Sequence, residues 1–429
     1  MTQTPRALVF GASGYIGSNL VPHLQSAGWD VRAAGRNKDV LAARGWQGVE
    51  LVQADALSPE TLAAALSDVD VAFYLVHSMA AGGKFGDLDL KAARHFVAAA
   101  ARAHVRRIVY LGGLVPAESA GEHIDSRRET GEVLRSGPVP VTEIRAGIII
   151  GPGSAAFEVM RDLVLHLPAM VTPRWVRAKS PPIALVNLLF YLERVALLED
   201  AAGAVFDAGG PEICTYENMM RELALAVGKR PPLIVPVPVL TPALSSYWLG
   251  LTTAVPANIA KALIGGLKHD FTADDAALRA LVPQELLGVR AAIDSALAAE
   301  REHTVTARWS EGAFAMRGFR HDVAFYAKRA SGSAVASAST EEVWRQVIGI
   351  EEGRRLTLHF GMRAPGAGVL EFELQPLPDK QTRITVTAYW HPRGVWGLLY
   401  WWALVPAHLF IFRGFTSAIA RRAENIAQR

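Results

Sequence analysis

From residue 6 to residue 150 the chain alternates short runs of β-branched and apolar residues with alanine-rich stretches of helical length, the pattern of repeated βαβ units. Strands are predicted at Ala7–Phe10, Asp30–Ala33, Val49–Gln53, Val71–Leu75, Arg107–Leu111 and Val141–Ile144, with helical segments such as Thr61–Leu66 and Leu88–Ala103 between them. Connections of this length cross over right-handedly, so the expected fold is an α/β, doubly wound parallel sheet with ligands at the carboxyl ends of its strands. A late strand at Ala204–Asp207 and a helix at Tyr216–Val227 carry this first domain to about residue 228.

The stretch from Pro231 to Pro238 holds four prolines, which excludes a regular helix or a central strand and reads as an ordered connector. Helical, apolar segments follow at Pro242–Leu249, Ile259–Leu263 and Leu286–Ala299, a small lobe over residues 229–302 suited to covering a substrate. From His303 the period changes to two, at Leu356–Phe360, Val369–Leu374 and Thr382–Thr387, and predicts an antiparallel sheet. Ser331–Ser339 is small and polar and reads as a flexible stretch. The uncharged run Val395–Phe412 leads into an amphipathic helix, Ser417–Ala427.

Composition narrows the function classes. The 429 residues exceed what one core usually organises, so two or three domains are expected. Half the residues are hydrophobic (51%) and only 20% are charged, which excludes disorder and leaves room for large cores or cavities. A net charge of +3 with interspersed signs demands no nucleic-acid partner. The lone cysteine, Cys214, forms no internal disulfide, and no secretory leader opens the chain, so a reducing cytosol is expected. Cys214 has no basic neighbour to activate it and reads as structural. Histidines 303, 321, 359, 391 and 408 lack ligand spacing, so no metal is expected.

The chemistry-bearing motif stands at the start. Gly11-Ala12-Ser13-Gly14-Tyr15-Ile16-Gly17 follows an apolar strand directly and opens a helical pattern, the context that makes three glycines a dinucleotide signature. Gly11 permits the tight turn, Gly14 admits a pyrophosphate, Gly17 lets helix pack on strand, and the helix N-terminus offers N–H donors. At the end of the second strand, where an NAD site usually carries an acid, stand Arg32 and Arg36. Either they pair with a 2′-phosphate, favouring NADP over NAD, or they are solvated arginines on a strand end. By topology Asp55 and Ala56 fall near the adenine and Val76 and His77 near the nicotinamide.

On GASGYIG, the run Val141-Thr-Glu-Ile-Arg145-Ala-Gly147-Ile-Ile-Ile-Gly151 and the helical lobe, residues 5 to 300 resemble the atypical short-chain dehydrogenase/reductases. Tyr389-Trp-His-Pro-Arg and the aromatic run after it resemble the DUF2867 domain that bacterial members carry as a C-terminal fusion. The resemblance implies an NAD(P)-binding Rossmann domain followed by an α+β helix-grip, START-like domain around an apolar cavity, with a helix at Thr340–Val347. The stretch between that helix and the next strand is shorter than the family usually has. The family's Ser and Tyr-x-x-x-Lys set is absent: its Tyr position holds His123, its Lys position Arg127, and its Ser position falls within Leu111-Gly112-Gly113. Gly112 is placed beside the cofactor.

Two functions fit. One is a reductase of a small apolar carbonyl, quinone or isoprenoid-like compound, with His123 as general acid/base and Arg127 binding ribose hydroxyls. The other is a non-catalytic NADP(H) sensor like the NmrA-like regulators. Val395–Phe412 lines a cavity, makes a peripheral contact with the inner membrane face, or spans the membrane, with Pro406 and His408 inside the run and Arg393 and Arg413 flanking it counting against a span.

Overall fold

The computed structural model describes residues 4–42, 44–76, 85–116, 122–237, 269–302, 304–306, 328–337, 339–340, 355–359, 366–378, 381–392 and 394–427. The chain divides into two compact units, Met1–Val164 with Pro168–His321, and Asp322–Arg429 with Leu165–Leu167.

In the first unit β1 (Arg6–Phe10), α1 (Tyr15–Ser26), β2 (Asp30–Gly35), α2 (Lys38–Ala42), β3 (Glu50–Gln53), α3 (Leu62–Leu66), β4 (Val71–Tyr74), α4 (Phe85–Arg102), β5 (Arg107–Gly113), α5 (Glu122–Arg135) and β6 (Val141–Ala146) alternate as the pattern predicts. With β11 (Val205–Ala208) they form a seven-stranded parallel sheet in the order β11-β6-β5-β4-β1-β2-β3. This is a doubly wound Rossmann sheet whose strand order reverses between β1 and β4, where a crevice opens at the carboxyl ends. Alternation along each strand feeds two cores. Ala7 and Val9 of β1 face one layer with Leu20, Leu24, Leu188 and Leu192, while Leu8 and Phe10 face the other with Leu62 and Phe96. The second layer is locked by aromatics, Phe96 lying 4.9 Å from Phe10 and 4.8 Å from Tyr74 between ring centroids.

Past β6, short strands β7 (Ile149–Ile150), β8 (Ala169–Pro173), β9 (Lys179–Ser180), β10 (Ile183–Ala184), β12 (Cys214–Thr215) and β13 (Leu233–Val237) pair two by two, around helices α6 (Ala155–His166), α7 (Leu185–Val195) and α8 (Tyr216–Ala226). The proline-rich connector therefore contains a strand. β13 pairs in parallel with β8 alone, and a strand with one partner tolerates prolines that a central strand would not. Of the expected helical lobe, residues 238–268 lie outside the described residues. The described part, α9 (Ala276–Leu281) and α10 (Val289–Arg301), is knitted into the first unit. Leu278 and Val282 enter its core, and Asn187 of α7 donates to Gln284 Oε1 and the Glu285 carbonyl, each at 2.8 Å.

The second unit is α+β. Strands β14 (Lys328–Ala336), β15 (Arg355–His359), β16 (Gly366–Leu377) and β17 (Gln381–Pro392) form an antiparallel sheet ordered β14-β17-β16-β15, and helix α11 (Gly394–Ala427) packs on β14 and β17. Ser331–Ser339 is thus not a flexible stretch over its first part. Its residues are small because the helix crosses it closely: a Cβ on Gly332 would lie 2.8 Å from the Phe412 carbonyl carbon. The predicted helix Thr340–Val347 lies almost wholly outside the described residues. Val395–Phe412 and Ser417–Ala427 prove to be parts of one helix containing Pro406. It bends by 43° between Leu399–His408 and Phe410–Glu424, as a helical proline commonly causes. Among the described residues no single helix is long and apolar enough to cross a membrane; those two arms pass that criterion only together.

Candidate dinucleotide site

The glycine turn sits at the switch point of the parallel sheet. Gly11 has φ +96°, open to glycine at little cost, and both Gly11 and Ala12 donate their N–H groups to the Ala34 carbonyl of β2 at 3.0 Å. A Cβ on Gly11 would lie 3.0 Å from the Leu75 carbonyl. At Gly17 the room is smaller still, a Cβ there lying 2.4 Å from the Gly11 oxygen and 2.8 Å from Ala12 Cα. Gly14 caps α1 in extended backbone, with no side-chain cap and no acid in the first turn, so the helix's positive end faces the crevice unneutralised. Ser18 fixes the turn from below through a 2.8 Å bond to the Ala12 carbonyl, and Tyr15 donates to the Pro152 carbonyl at 3.0 Å. Ser13 lies against the end of β2, its Oγ 3.5 Å from where a Gly35 Cβ would stand, and Ile16 packs on the core.

The two arginines of β2 part company. Arg32 is buried, pairs with Glu50 at 2.9 Å and donates to the carbonyls of Ala64, Ala65 and Ser67 at 3.1, 3.0 and 2.7 Å. Its guanidinium ties β2 and β3 to the end of α3, which leaves it unable to reach a ribose phosphate; the expectation for Arg32 is corrected accordingly. Arg36 stands exposed just past β2, with no ion pair among the described residues. Asp55 accepts the Leu57 N–H on its carboxylate at 3.0 Å, and Ala56 is buried with its carbonyl 2.7 Å from His95 Nδ1. Both build the β3 loop. Val76 is half-buried just past β4, and His77 lies outside the described residues.

At the carboxyl end of β5, Arg127 of α5 donates to the Leu111 carbonyl at 2.7 Å, and its Nε lies 3.2 Å from where a Gly113 Cβ would stand. The backbone puts His123 one turn earlier on α5; its side chain lies outside the described residues. Gly112 is small for another reason. A Cβ there would lie 2.9 Å from Glu143 Oε1, and one on Gly131 2.6 Å from Oε2. The Glu143 carboxylate, 1% exposed, fills that space and pairs with Arg145 at 2.8 Å and with Arg135. Tyr110 donates to the Arg127 carbonyl at 2.9 Å, and burial pushes its phenol up, so it stays a neutral donor. Beside Arg145 in register, Asp207 of β11 accepts the Asp274 N–H at 3.1 Å, and burial raises its carboxyl. Cys214 is half-buried, its thiol pushed up to about 11 chiefly by burial and then by Glu212, which keeps it unreactive.

Residues 11–138 match the family model described as NAD(P)H-binding, and residues 282–415 match DUF2867, a protein family of unknown function. The chain carries an NAD(P)-binding domain followed by a DUF2867 domain. The DUF2867 match reaches back over α10, which packs in the first unit. No curated protein matches the sequence. Among solved structures, the Citrobacter sp. triphenylmethane reductase complexed with NADP(H) is 20% identical, with TM-score 0.55 over 68% of this chain and 99% of its own. The NADPH-dependent quinone oxidoreductase QOR2 of Escherichia coli complexed with NADPH is 21% identical, with TM-score 0.54 over 67% and 98%. MoeE5 in complex with UDP-glucose and NAD is 16% identical, with TM-score 0.53 over 70% and 99%. These likenesses establish the Rossmann fold of the NAD(P)-binding domain.

The residues present fit a dinucleotide. The glycine turn is a cradle that any Cβ at Gly11 or Gly17 would close, and the uncapped N-terminus of α1 supplies anion-binding donors. The triad Arg135–Glu143–Arg145, a buried carboxylate between two half-buried guanidinium groups, escaped sequence reasoning. Its signal lay in Val141-Thr-Glu-Ile-Arg145, two charges spaced by two in a central strand and therefore on one face, opposite two glycines.

Proposed function

We propose that the NAD(P)-binding domain takes NADP(H) and that the chain is a reductase of a small apolar carbonyl, quinone or isoprenoid-like compound. The observation that carries the cofactor choice is Arg36: exposed, without an ion pair among the described residues, and standing just past β2 where an acid would serve NAD. Gly11, Gly14 and the first turn of α1 would hold the pyrophosphate, and Arg36 the 2′-phosphate through charge-assisted hydrogen bonds. The quinone and triphenylmethane reductases that share the fold favour an apolar acceptor.

NADPH, when bound, would supply the hydride that, together with one proton, takes a carbonyl to an alcohol or a quinone to a hydroquinone. Arg127, held on the β5 carboxyl end, orients polar groups of the bound molecules without moving protons itself. His123 is the proton donor, its ordinary range lying near neutrality. The test is NADPH consumption over a panel of carbonyls and quinones. Turnover that falls sharply in His123→Ala supports the reading, and a KM for NADPH raised tenfold or more in Arg36→Ala supports the cofactor choice.

A second reading, a non-catalytic NADP(H) sensor, is favoured by one observation. His123 and Arg127 stand where the resemblance to short-chain dehydrogenases implies Tyr and Lys. Tight NADPH binding with no acceptor consumed above background would select it.

A further inference from the structure

Helix α11 has one face committed to its own domain. Phe412, Ile419, Ala420 and Ala423 join the core formed by Phe372, Leu374, Ile384 and Val386 of the sheet, and Trp401 is buried as well. The opposite face is as apolar as the core. Trp396, Leu399, Trp402, Phe410 and Ile411 are all exposed, Trp396 at 76% and Phe410 at 80%, and Phe415 is exposed at the edge of this face while its ring meets Phe372 of the sheet. From Gly394 to Ala420 the sole formal charge is Arg413; Arg421 and Arg422 follow, with Glu424 the one acid. All three arginines are exposed. Monomeric proteins rarely leave so many large apolar side chains contiguous in water.

We propose that α11 lies in the interfacial plane of an anionic lipid bilayer, with this face immersed among the acyl chains and its arginines on the headgroups. Spanning is excluded by the face already buried against the sheet. The charge balance over residues 413–427, three arginines against one glutamate, complements anionic headgroups. Exposed tryptophans at the opposite end are residues that favour the membrane boundary. A protein interface would carry a polar rim of mixed sign around its apolar centre. Here the apolar face runs on for over five turns with a single charge, as an in-plane amphipathic helix requires.

The experiment is flotation of the full chain with vesicles of phosphatidylcholine alone and of phosphatidylcholine mixed with phosphatidylglycerol. Flotation with the anionic vesicles is expected, and its loss in Trp396→Ser/Phe410→Ser. Replacing Arg413, Arg421 and Arg422 by Gln is expected to weaken anionic-vesicle binding on the order of 100-fold, from roughly fivefold per arginine, and to leave any affinity for neutral vesicles unchanged. Unchanged circular dichroism and melting temperature establish that the variants fold. The proposal is overturned if the native chain floats with neither vesicle, or if the Trp396/Phe410 variant floats as well as the native chain. It is equally overturned if the arginine variant keeps its anionic-vesicle affinity. Sedimentation showing a dimer that this aromatic variant dissolves, without any flotation, would assign the face to a second copy instead.

Discussion

The glycine turn and the region between β5, β6 and α5 are built of different material. At the turn the geometry is backbone: Gly11 and Ala12 amides on Ala34, a helix start without a cap, and glycines whose absent Cβ atoms define the space. Between β5, β6 and α5 it is side chains: Arg127 on Leu111, and a buried carboxylate held between Arg135 and Arg145. A backbone cradle admits almost no substitution and binds one thing, a phosphate. A side-chain cluster can be rebuilt residue by residue. The NAD(P)-binding fold is therefore legible in the chain, and the chemistry done beside it is not.

Four substitutions break or sharpen that contrast. The largest effect falls between β6 and α5, where Glu143→Leu removes the carboxylate that two half-buried guanidinium groups share and is expected to cost about 3–5 kcal/mol in urea denaturation. Loss under about 1 kcal/mol would mean the triad is not structural. Arg32→Met is expected to cost about 3 kcal/mol, because the Ala64, Ala65 and Ser67 carbonyls lose their donor, while the ratio of NADPH to NADH affinity stays put. A changed ratio would return Arg32 to the cofactor site. Gly17→Ala is expected to cost about 1–3 kcal/mol by overpacking and to abolish nucleotide binding, whereas Gly14→Ala, with 3.2 Å to its nearest neighbour, keeps the fold. Equal melting temperatures for the two would contradict this geometry.

The smallest effect concerns pH. Because burial raises the Asp207 carboxyl in the folded state, the folded chain holds that proton more tightly than the unfolded one. Its contribution to stability is complete below the ordinary carboxylate range and fades as pH rises through the raised value. Asp207→Asn is expected to flatten the pH dependence of melting on that rise and to be no less stable at pH 7. A steeper slope in the variant would reverse the sign.

How far the sequence speaks depends on what forms each feature. The parallel strands and their order of appearance are written in apolar runs, so β1 through β6 fall within a few residues of expectation. β14 escapes because Ser331–Ala336 is chosen for smallness under a crossing helix, and smallness without apolar alternation reads as a loop. β13 escapes because a one-sided strand tolerates its proline. Arg32 and Arg36 look alike in the chain, both near the end of β2. Only the facing carbonyls of α3 and Glu50 reveal that one is interior and the other free to meet a ligand.

Calorimetric titration of NADPH and NADH into the native chain and Arg36→Ala tests directly the proposal that Arg36 chooses the phosphorylated coenzyme. The expected result is at least tenfold tighter binding of NADPH by the native chain and near parity in the variant, since a charge-assisted contact contributes about 1.5–3 kcal/mol. Equal affinities in the native chain, or a preference that survives Arg36→Ala, would contradict it.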